Sequence, residues 1–134
     1  MFTVTKKISF CYGHRLLKHA GKCAFLHGHN AIAEIRCASD KLDRNEMVVD
    51  FGRITAALKH WIDAHLDHRM ILNEKDPLVP LLKKQNEPFY AMRGDPTAEA
   101  LARLIFEKAK AARLPVTQVL LWETPTASAS YQYK

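Results

Sequence analysis

Residues 2 to 10 alternate in polarity, which is the pattern of a β-strand buried on one face and open on the other. The apolar side carries Phe2, Val4, Ile8 and Phe10. Such a strand belongs to a sheet that is covered by a second layer on one side only. This is the first constraint on the fold, and it places the N-terminal segment within a sheet.

A second strand is predicted at 31–38, where Ala31, Ala33, Ile35 and Cys37 share one side. The connection between the two strands, 11–30, holds four of the seven histidines of the chain. Long ordered loops in compact domains are usually functional. We therefore expect this connection to carry the chemistry of the protein.

Two helices are predicted after the second strand. Asp50 is a suitable N-cap, and apolar residues at helical spacing follow it to about Leu66. Thr97 caps a second helix, which the segment 113–115 ends with a proline. Residues 73–96 are rich in Pro, Asn, Asp and Lys and are predicted as a long loop, with at most a helical turn at 78–84.

Two further strands are predicted at 116–123 and 127–133. The order ββααββ indicates an α+β domain in which a four-stranded antiparallel sheet carries two helices on one face. Such a sheet leaves two open edges, and pairing with other copies of the chain would cover them. We therefore expect each chain to form a single domain, residues 1–134, and several copies of the chain to form a homo-oligomer.

Composition excludes several classes of protein. The chain has 134 residues, a formal net charge of +6 and only three cysteines, which is poor support for a disulfide framework. Its basic residues are scattered and not grouped with aromatics, so nucleic-acid binding is not favoured. No apolar run approaches the roughly 18 residues of a membrane span. Because residues 1–7 lack the apolar core of a secretory signal, we expect a cytoplasmic protein with no membrane partner.

Three histidines form the strongest chemical signal. In an extended segment, His27 and His29 point to the same side, and Gly28 lets the backbone approach what they hold. His14 supplies a third imidazole from the other end of the connection. Three neutral imidazoles suit Zn²⁺ and leave one coordination position open, as in catalytic sites. The alternative is that these are unrelated surface histidines.

Cys23 lies four residues before His27, and its pattern allows three interpretations. It is a loop cysteine without a role, a fourth ligand that closes a structural zinc site, or a thiolate that acts as base or nucleophile near the metal. The sequence does not separate ligand from base. Cys11 and Cys37, which lie in or beside strands, are interpreted as packing residues.

Two acidic positions complete the set of candidates. Asp67 precedes His68, and a carboxylate next to an imidazole can fix its tautomer; the alternative is a solvated helix end. Glu123 follows an apolar strand and is either a surface charge or a partnered carboxylate. A partnered carboxylate in this position can accept two N–H groups from the edge of a guanidine-like ring.

These motifs together resemble the 6-pyruvoyl-tetrahydropterin synthase family, which includes bacterial 6-carboxytetrahydropterin synthases of queuosine biosynthesis. They occur in the family's order along nearly the whole chain. The matching segments are Phe10-Cys11-Tyr12-Gly13-His14-Arg15-Leu16, Cys23-Ala24-Phe25-Leu26-His27-Gly28-His29-Asn30, Val49-Asp50-Phe51, Leu66-Asp67-His68, Pro96-Thr97-Ala98-Glu99 and Glu123-Thr124.

The resemblance implies the tunnelling fold, in which three subunits close their sheets into a β-barrel and two trimers stack into a homohexamer. It implies that the three histidines bind zinc and that Cys23 is a catalytic thiol. Asp67 and His68 would join that thiol from a neighbouring subunit as a proton-transfer triad. Glu123 would anchor the pterin ring of the substrate.

The activity implied is that of a zinc-dependent lyase acting on 7,8-dihydroneopterin triphosphate. It would yield 6-carboxy-5,6,7,8-tetrahydropterin, acetaldehyde and triphosphate. A 6-pyruvoyl-tetrahydropterin synthase, which eliminates triphosphate only, is the nearest alternative. A non-catalytic zinc-stabilised binding module is an alternative from another class, but it leaves Asp67, His68 and Glu123 without a role.

Some positions depart from common members of the family. The segment Cys11-Tyr12-Gly13 replaces the small residues that often precede the first histidine. Arg69, Asp95 and Trp122 also differ from the residues frequent at their positions. None of the proposed metal ligands or acid–base groups is lost.

Overall fold

Two long strands, β1 (Phe2–His14) and β2 (His27–Ser39), form an antiparallel hairpin at the centre of one sheet. The other strands of this computed structural model, which describes residues 1–133, are β3 (Arg69–Asn73), β4 (Phe89–Met92), β5 (Val116–Thr124) and β6 (Ala127–Gln132). The strands lie in the order β4-β3-β1-β2-β5-β6. Lys134, the last residue of the predicted domain, lies outside the described residues.

The central hairpin is longer than the alternation of apolar residues predicted. The side chains of Phe10, Tyr12 and His14 all point into the core and are buried, so the strand continues to His14. The connection predicted at 11–30 therefore shortens to 15–26, and the candidate metal ligands lie at the ends of strands. The prediction ended the strand too early because polar site residues interrupt the apolar pattern after Phe10, although the backbone remains extended to His14.

The α+β class is confirmed, but the predicted four-stranded antiparallel sheet in the order ββααββ is wrong. The short strands β3 and β4 lie within 69–96, where the sequence predicted a loop from residue 73, and they extend the sheet beyond β1. β3 pairs in parallel with β1, and β4 pairs in parallel with β3, so the sheet is mixed. Neither short strand has the clear alternation that identifies β1, and their partners are remote in sequence.

Helices cover the core-facing side of the sheet. One helical stretch comprises α1 (Phe51–Ile54), a π-helical turn (Thr55–Lys59) and α2 (His60–His65); α3 (Leu78–Lys84) is short, and α4 (Ala98–Ala111) is long. Both predicted caps are confirmed. Asp50 accepts the Gly52 N–H at 2.7 Å, and Thr97 accepts the Ala100 N–H at 3.1 Å.

One hydrophobic core joins the helices to the sheet. From the helices it takes Ile54, Leu58, Ile62, Leu101, Ile105 and Phe106, and from the sheet Ile8, Phe10, Ala33, Ile35, Val119 and Leu121. Burial of a large aliphatic or aromatic side chain contributes roughly 1.5–3 kcal/mol, so this layer fixes the sheet that carries the site. Within the described residues, no helix is both long enough and apolar enough to span a bilayer.

Candidate active site

Three imidazoles converge where the central hairpin ends. In the register of β1 and β2, His14 lies opposite His27, and Tyr12 lies opposite His29. One ring nitrogen from each of His14, His27 and His29 lies within 4.8 Å of the others. His14 is only 2% exposed, while the other two imidazoles are half-buried at the cavity wall. The predicted histidine group is therefore assembled within a single hairpin.

Glycines make this convergence possible. Gly13 lies opposite Gly28, between the His14–His27 pair and the Tyr12–His29 pair. A Cβ atom on Gly28 would lie 3.1 Å from the Tyr12 carbonyl oxygen, and one on Gly13 would lie 2.4 Å from the Met70 sulfur. A side chain at Gly28 would therefore press on the neighbouring strand, whereas the approach of this backbone to a bound group stays a prediction.

The hydrogen bonds of two imidazoles define their tautomers. His14 donates from Nδ1 to the Pro96 carbonyl at 2.8 Å, and His27 donates from Nδ1 to the Phe25 carbonyl at 2.7 Å. Carbonyl oxygens only accept, so both Nδ1 atoms carry the proton and both neutral rings present a lone pair at Nε2. Such bonds to the second ring nitrogen are usual for histidines that ligate a metal.

The two lone pairs point at each other. The Nε2 atoms of His14 and His27 are 2.9 Å apart. Burial lowers the pKa of His14 and disfavours an imidazolium that would relieve the repulsion. A cation held by the three histidines would relieve it instead, so the donor set fits a divalent metal that accepts imidazole ligands.

Glu123, at the end of β5, is a partnered carboxylate beside the histidines. Its Oε2 accepts the Tyr12 hydroxyl at 2.8 Å and lies 3.1 Å from His29 Nε2 and 3.5 Å from His14 Nε2. Of the two alternatives left open by the sequence, the surface charge is therefore wrong. Burial, and then the neighbouring Glu123 charge, raise the pKa of Tyr12 far above its ordinary value, so the phenol remains a donor.

Asp67 and His68 form a second polar group at the start of β3. His68 Nδ1 lies 2.8 Å from Asp67 Oδ2, and the other carboxylate oxygen accepts the Cys11 N–H at 2.9 Å. The Cys11 carbonyl accepts the His68 N–H at 2.7 Å, which holds His68 at a φ of 59°. Burial alone would raise the pKa of Asp67, but the hydrogen bonds from Cys11 and His68 outweigh it and lower that pKa.

Cys37 is buried in the core, as interpreted from the sequence, whereas Cys11 is more than a packing residue. Cys11, interpreted as a packing residue, belongs with Asp67 and His68 to a group whose ligand-type atoms lie within 4.8 Å of one another. Cys23 lies half-buried in a short 3-10 turn (Lys22–Ala24) and belongs to neither group. Within this chain, Cys23 therefore does not join the three imidazoles as a fourth ligand.

Both groups line one open cavity of about 630 Å³, a size suited to a small-molecule ligand. Its wall includes Cys11, Tyr12, His27, His29 and His68. The cavity thus brings the imidazoles of His27 and His29 to the same space as His68, which Asp67 holds from behind. This arrangement suits acid–base chemistry on a ligand that is bound to a metal.

Several residues that support the site were not predicted. Asp95 accepts the Lys18 N–H and the Asn73 side-chain N–H, each at 3.0 Å, and so fixes the loop that presents the Pro96 carbonyl to His14. The one sequence signal for Tyr12 is that it lies two residues before His14, because residues at this spacing in a strand point to the same side. No sequence signal identified the loop contacts, because they join segments far apart in the chain.

Comparison with known proteins identifies the family of this chain. The family model for 6-pyruvoyl tetrahydropterin synthase matches residues 3–134. A 6-carboxy-5,6,7,8-tetrahydropterin synthase of Rickettsia conorii is 39% identical over 132 residues, which cover 93% of this chain and 96% of that protein.

Two solved structures share the fold. An uncharacterized protein of Wolinella succinogenes has 25% identity and a TM-score of 0.82, with 99% of this chain and 98% of that one covered. The 6-pyruvoyl tetrahydropterin synthase of Caenorhabditis elegans has 24% identity and a TM-score of 0.74, with 99% and 96% covered. From the family match over nearly its whole length and from this fold, the chain belongs to the 6-pyruvoyl tetrahydropterin synthase family.

Proposed function

We propose that the chain is a zinc-dependent lyase that converts 7,8-dihydroneopterin triphosphate and one water molecule to 6-carboxy-5,6,7,8-tetrahydropterin, acetaldehyde and triphosphate. The names of its curated relatives and its membership of the family support a pterin lyase of this type. The reaction would serve queuosine and other 7-deazapurine biosynthesis. The structural observation that carries the proposal is the pair of facing Nε2 lone pairs beside an open cavity.

In this proposal His14, His27 and His29 hold Zn²⁺, which would polarise the hydroxyls of the substrate's side chain and lower their pKa. The histidines fit this role because carbonyl acceptors hold the Nδ1 protons of His14 and His27. The ring nitrogens that face the cavity are then free of protons without any change in the protein's charge.

Glu123 would bind the pterin ring. Its carboxylate lies next to the histidines, so a ring held there would place its side chain toward the metal site. A carboxylate can accept two parallel N–H groups, and the amino and ring N–H groups of a pterin form such a pair. The anchor would orient the substrate before any proton moves.

Proton transfer falls to Asp67, His68 and Cys23. Asp67 holds the His68 ring through Nδ1, which leaves Nε2 to take or give a proton at the substrate's side chain. The Cys23 thiolate would move the second proton. Positioned acid–base groups of this kind typically contribute ~10²–10⁴-fold to the rate.

We also propose that the chain assembles into a homohexamer of two trimers. Cys23 belongs to neither polar group within one chain, which is what a triad shared between subunits requires. The open edges of β4 and β6 provide strands with which other copies can pair. Light scattering of the purified protein tests the number of subunits, and a monomer with full activity would contradict the shared triad.

The decisive experiment is incubation of the zinc-loaded protein with 7,8-dihydroneopterin triphosphate, followed by mass analysis of the products. We expect 6-carboxytetrahydropterin and acetaldehyde in equal amounts. A 6-pyruvoyl product without acetaldehyde would favour the alternative synthase. Unchanged substrate, from protein that retains zinc and its fold, would contradict both and favour a binding module.

A further inference from the structure

We propose that Tyr12 is a positioning residue: its hydroxyl holds Glu123 in place for the pterin ring and keeps that carboxylate from becoming a metal ligand. The inference rests on the proposed function, in which Glu123 anchors the pterin and the histidines bind the metal. Tyr12 is one of the positions at which the chain departs from the small residues common before the first histidine.

The ring of Tyr12 is held rigidly by its neighbours. Tyr12 is only 3% exposed, and its ring stacks on Phe10 with centroids 5.5 Å apart. Its face is closed by edge contacts with His14, at 5.1 Å, and it lies opposite His29 in the hairpin register. A ring enclosed in this way has one available direction for its hydroxyl, and that direction ends at Glu123.

The protein contacts only one of the two carboxylate oxygens of Glu123. The Tyr12 hydroxyl and the two imidazole contacts all involve Glu123 Oε2. Within residues 1–133, Oε1 makes no hydrogen bond. Oε2 is therefore held by the phenol through one lone pair and keeps the other, while Oε1 is wholly available, so the carboxylate can still accept two N–H donors of a ligand.

Glu123 lies close enough to the histidines to compete for the proposed metal. Oε2 lies at 3.1 Å and 3.5 Å from two of the three nitrogens that fit a cation. A carboxylate this close would bind zinc as a fourth ligand if nothing restrained it, since carboxylate oxygens are ordinary zinc ligands. The hydrogen bond from a neutral phenol occupies one lone pair of Oε2 and holds the carboxylate back, so the open coordination position is kept for the substrate.

The test compares Tyr12→Phe with Glu123→Ala and with the double variant. Tyr12→Phe keeps the ring and removes only the donor, and Tyr90→Phe is the matched control because Tyr90 packs against Trp61 and His65. Binding of neopterin, followed by its fluorescence, reports on the anchor without turnover. We expect Tyr12→Phe to weaken binding on the order of tenfold, as for loss of a hydrogen bond to a charged group.

The double variant decides whether Tyr12 acts through Glu123. If it does, Tyr12→Phe adds nothing once Glu123 is alanine, because the group that it positions is gone. Equal losses in both backgrounds would overturn the proposal and indicate a structural role. Unchanged binding in Tyr12→Phe, with a loss in Glu123→Ala, would overturn it while leaving the anchor intact. Unchanged binding in Glu123→Ala would contradict the proposed function itself.

A second readout follows the metal site directly. In protein loaded with Co²⁺ in place of zinc, a released carboxylate adds a ligand and weakens the visible absorption of a four-coordinate ion. We expect this change in Tyr12→Phe and not in Tyr90→Phe, and identical spectra would contradict the restraint on Glu123. If Tyr12→Phe does not fold, neopterin binding is measured instead in Glu123→Asp, which draws the carboxylate away from the phenol by one methylene, and wild-type affinity there would contradict the positioning role.

Discussion

His14 and His27 face each other with their Nε2 atoms 2.9 Å apart, while each ring donates its Nδ1 proton to a backbone carbonyl. This arrangement is unfavourable for two neutral imidazoles and favourable for two ligands of one cation. The protein thus determines the protonation of the ring nitrogens before a metal arrives. The following predictions test this organisation and its neighbours.

Replacement of His27 by alanine should abolish stoichiometric zinc binding. In the wild type, metal that binds only the folded state adds about 4 kcal/mol to stability at a concentration 1,000 times its Kd. A chelator should therefore lower the melting temperature of the wild type and leave that of His27→Ala unchanged. Metal analysis and thermal melting check this, and His60→Ala, at an exposed position on α2, is the control. Full zinc content in His27→Ala would contradict the site.

Replacement of Cys23 by alanine should leave zinc bound and reduce kcat by ~10²–10⁴-fold, the usual contribution of a positioned acid–base group. Cys11→Ala removes the thiol that lies beside Asp67 and His68 within one chain and should preserve most of kcat. Kinetics with metal analysis of both variants separate the two thiols. Loss of zinc in Cys23→Ala would indicate a ligand, and loss of turnover in Cys11→Ala alone would transfer the catalytic role to that thiol.

The ion pair between half-buried Arg15 and buried Asp76 should make stability depend on pH. Arg15 donates to both carboxylate oxygens, at 2.8 Å and 2.5 Å, and these bonds, against the effect of burial, hold the pKa of Asp76 below its usual range. The stabilisation is complete above the unfolded pKa of about 3.9 and is lost as the pH falls through the lower folded pKa.

Asp76→Asn should therefore be less stable by about 2 kcal/mol at neutral pH, with a difference that shrinks below about pH 4. Urea unfolding at several pH values measures this. Asp63→Asn, which disrupts an exposed pair with Lys59, should cost only about 0.3–0.5 kcal/mol. A difference that grows on acidification would show the opposite linkage.

Gly28→Ala should destabilise the hairpin by about 1–3 kcal/mol, the usual cost of overpacking. The new methyl group would lie 3.1 Å from the Tyr12 carbonyl oxygen, and backbone cannot yield as a side chain can. Zinc affinity should fall too, because His27 and His29 flank this residue. Gly21→Ala is the control, since its nearest neighbour is the movable ring of His19. Wild-type stability and affinity in Gly28→Ala would refute this account of the close approach.

The sequence predicted the parts of the fold that depend on local patterns. The hairpin strands, the caps Asp50 and Thr97, and the terminal strands all carry periodic or capping signals within a few residues. β3 and β4 do not, because each is short and pairs in parallel with a strand that is distant in the sequence. Their existence depends on tertiary pairing, which no local window contains.

The same distinction applies to the site. The spacing of His14, His27 and His29 identified the metal group, since all three belong to one hairpin. The contact of Tyr12 with Glu123 depends on the register of β5 against β2, and the bond of Cys11 to Asp67 depends on how the helix returns to β1. Neither contact could be predicted from the sequence, because each joins segments whose relative positions are set only by the folded sheet. The catalytic roles of Cys23, Asp67 and His68 stay predictions.

The confinement of the three imidazoles to one hairpin has a consequence for the order of assembly. Hairpin contacts are local and form early, whereas pairing with β3 and β5 must wait for much longer loops to close. In the proposed function, a growing chain would therefore bind its metal ion while the carboxyl-terminal half is still being synthesised. The ion would then first stabilise the newly made hairpin, before the residues that bind substrate are in place.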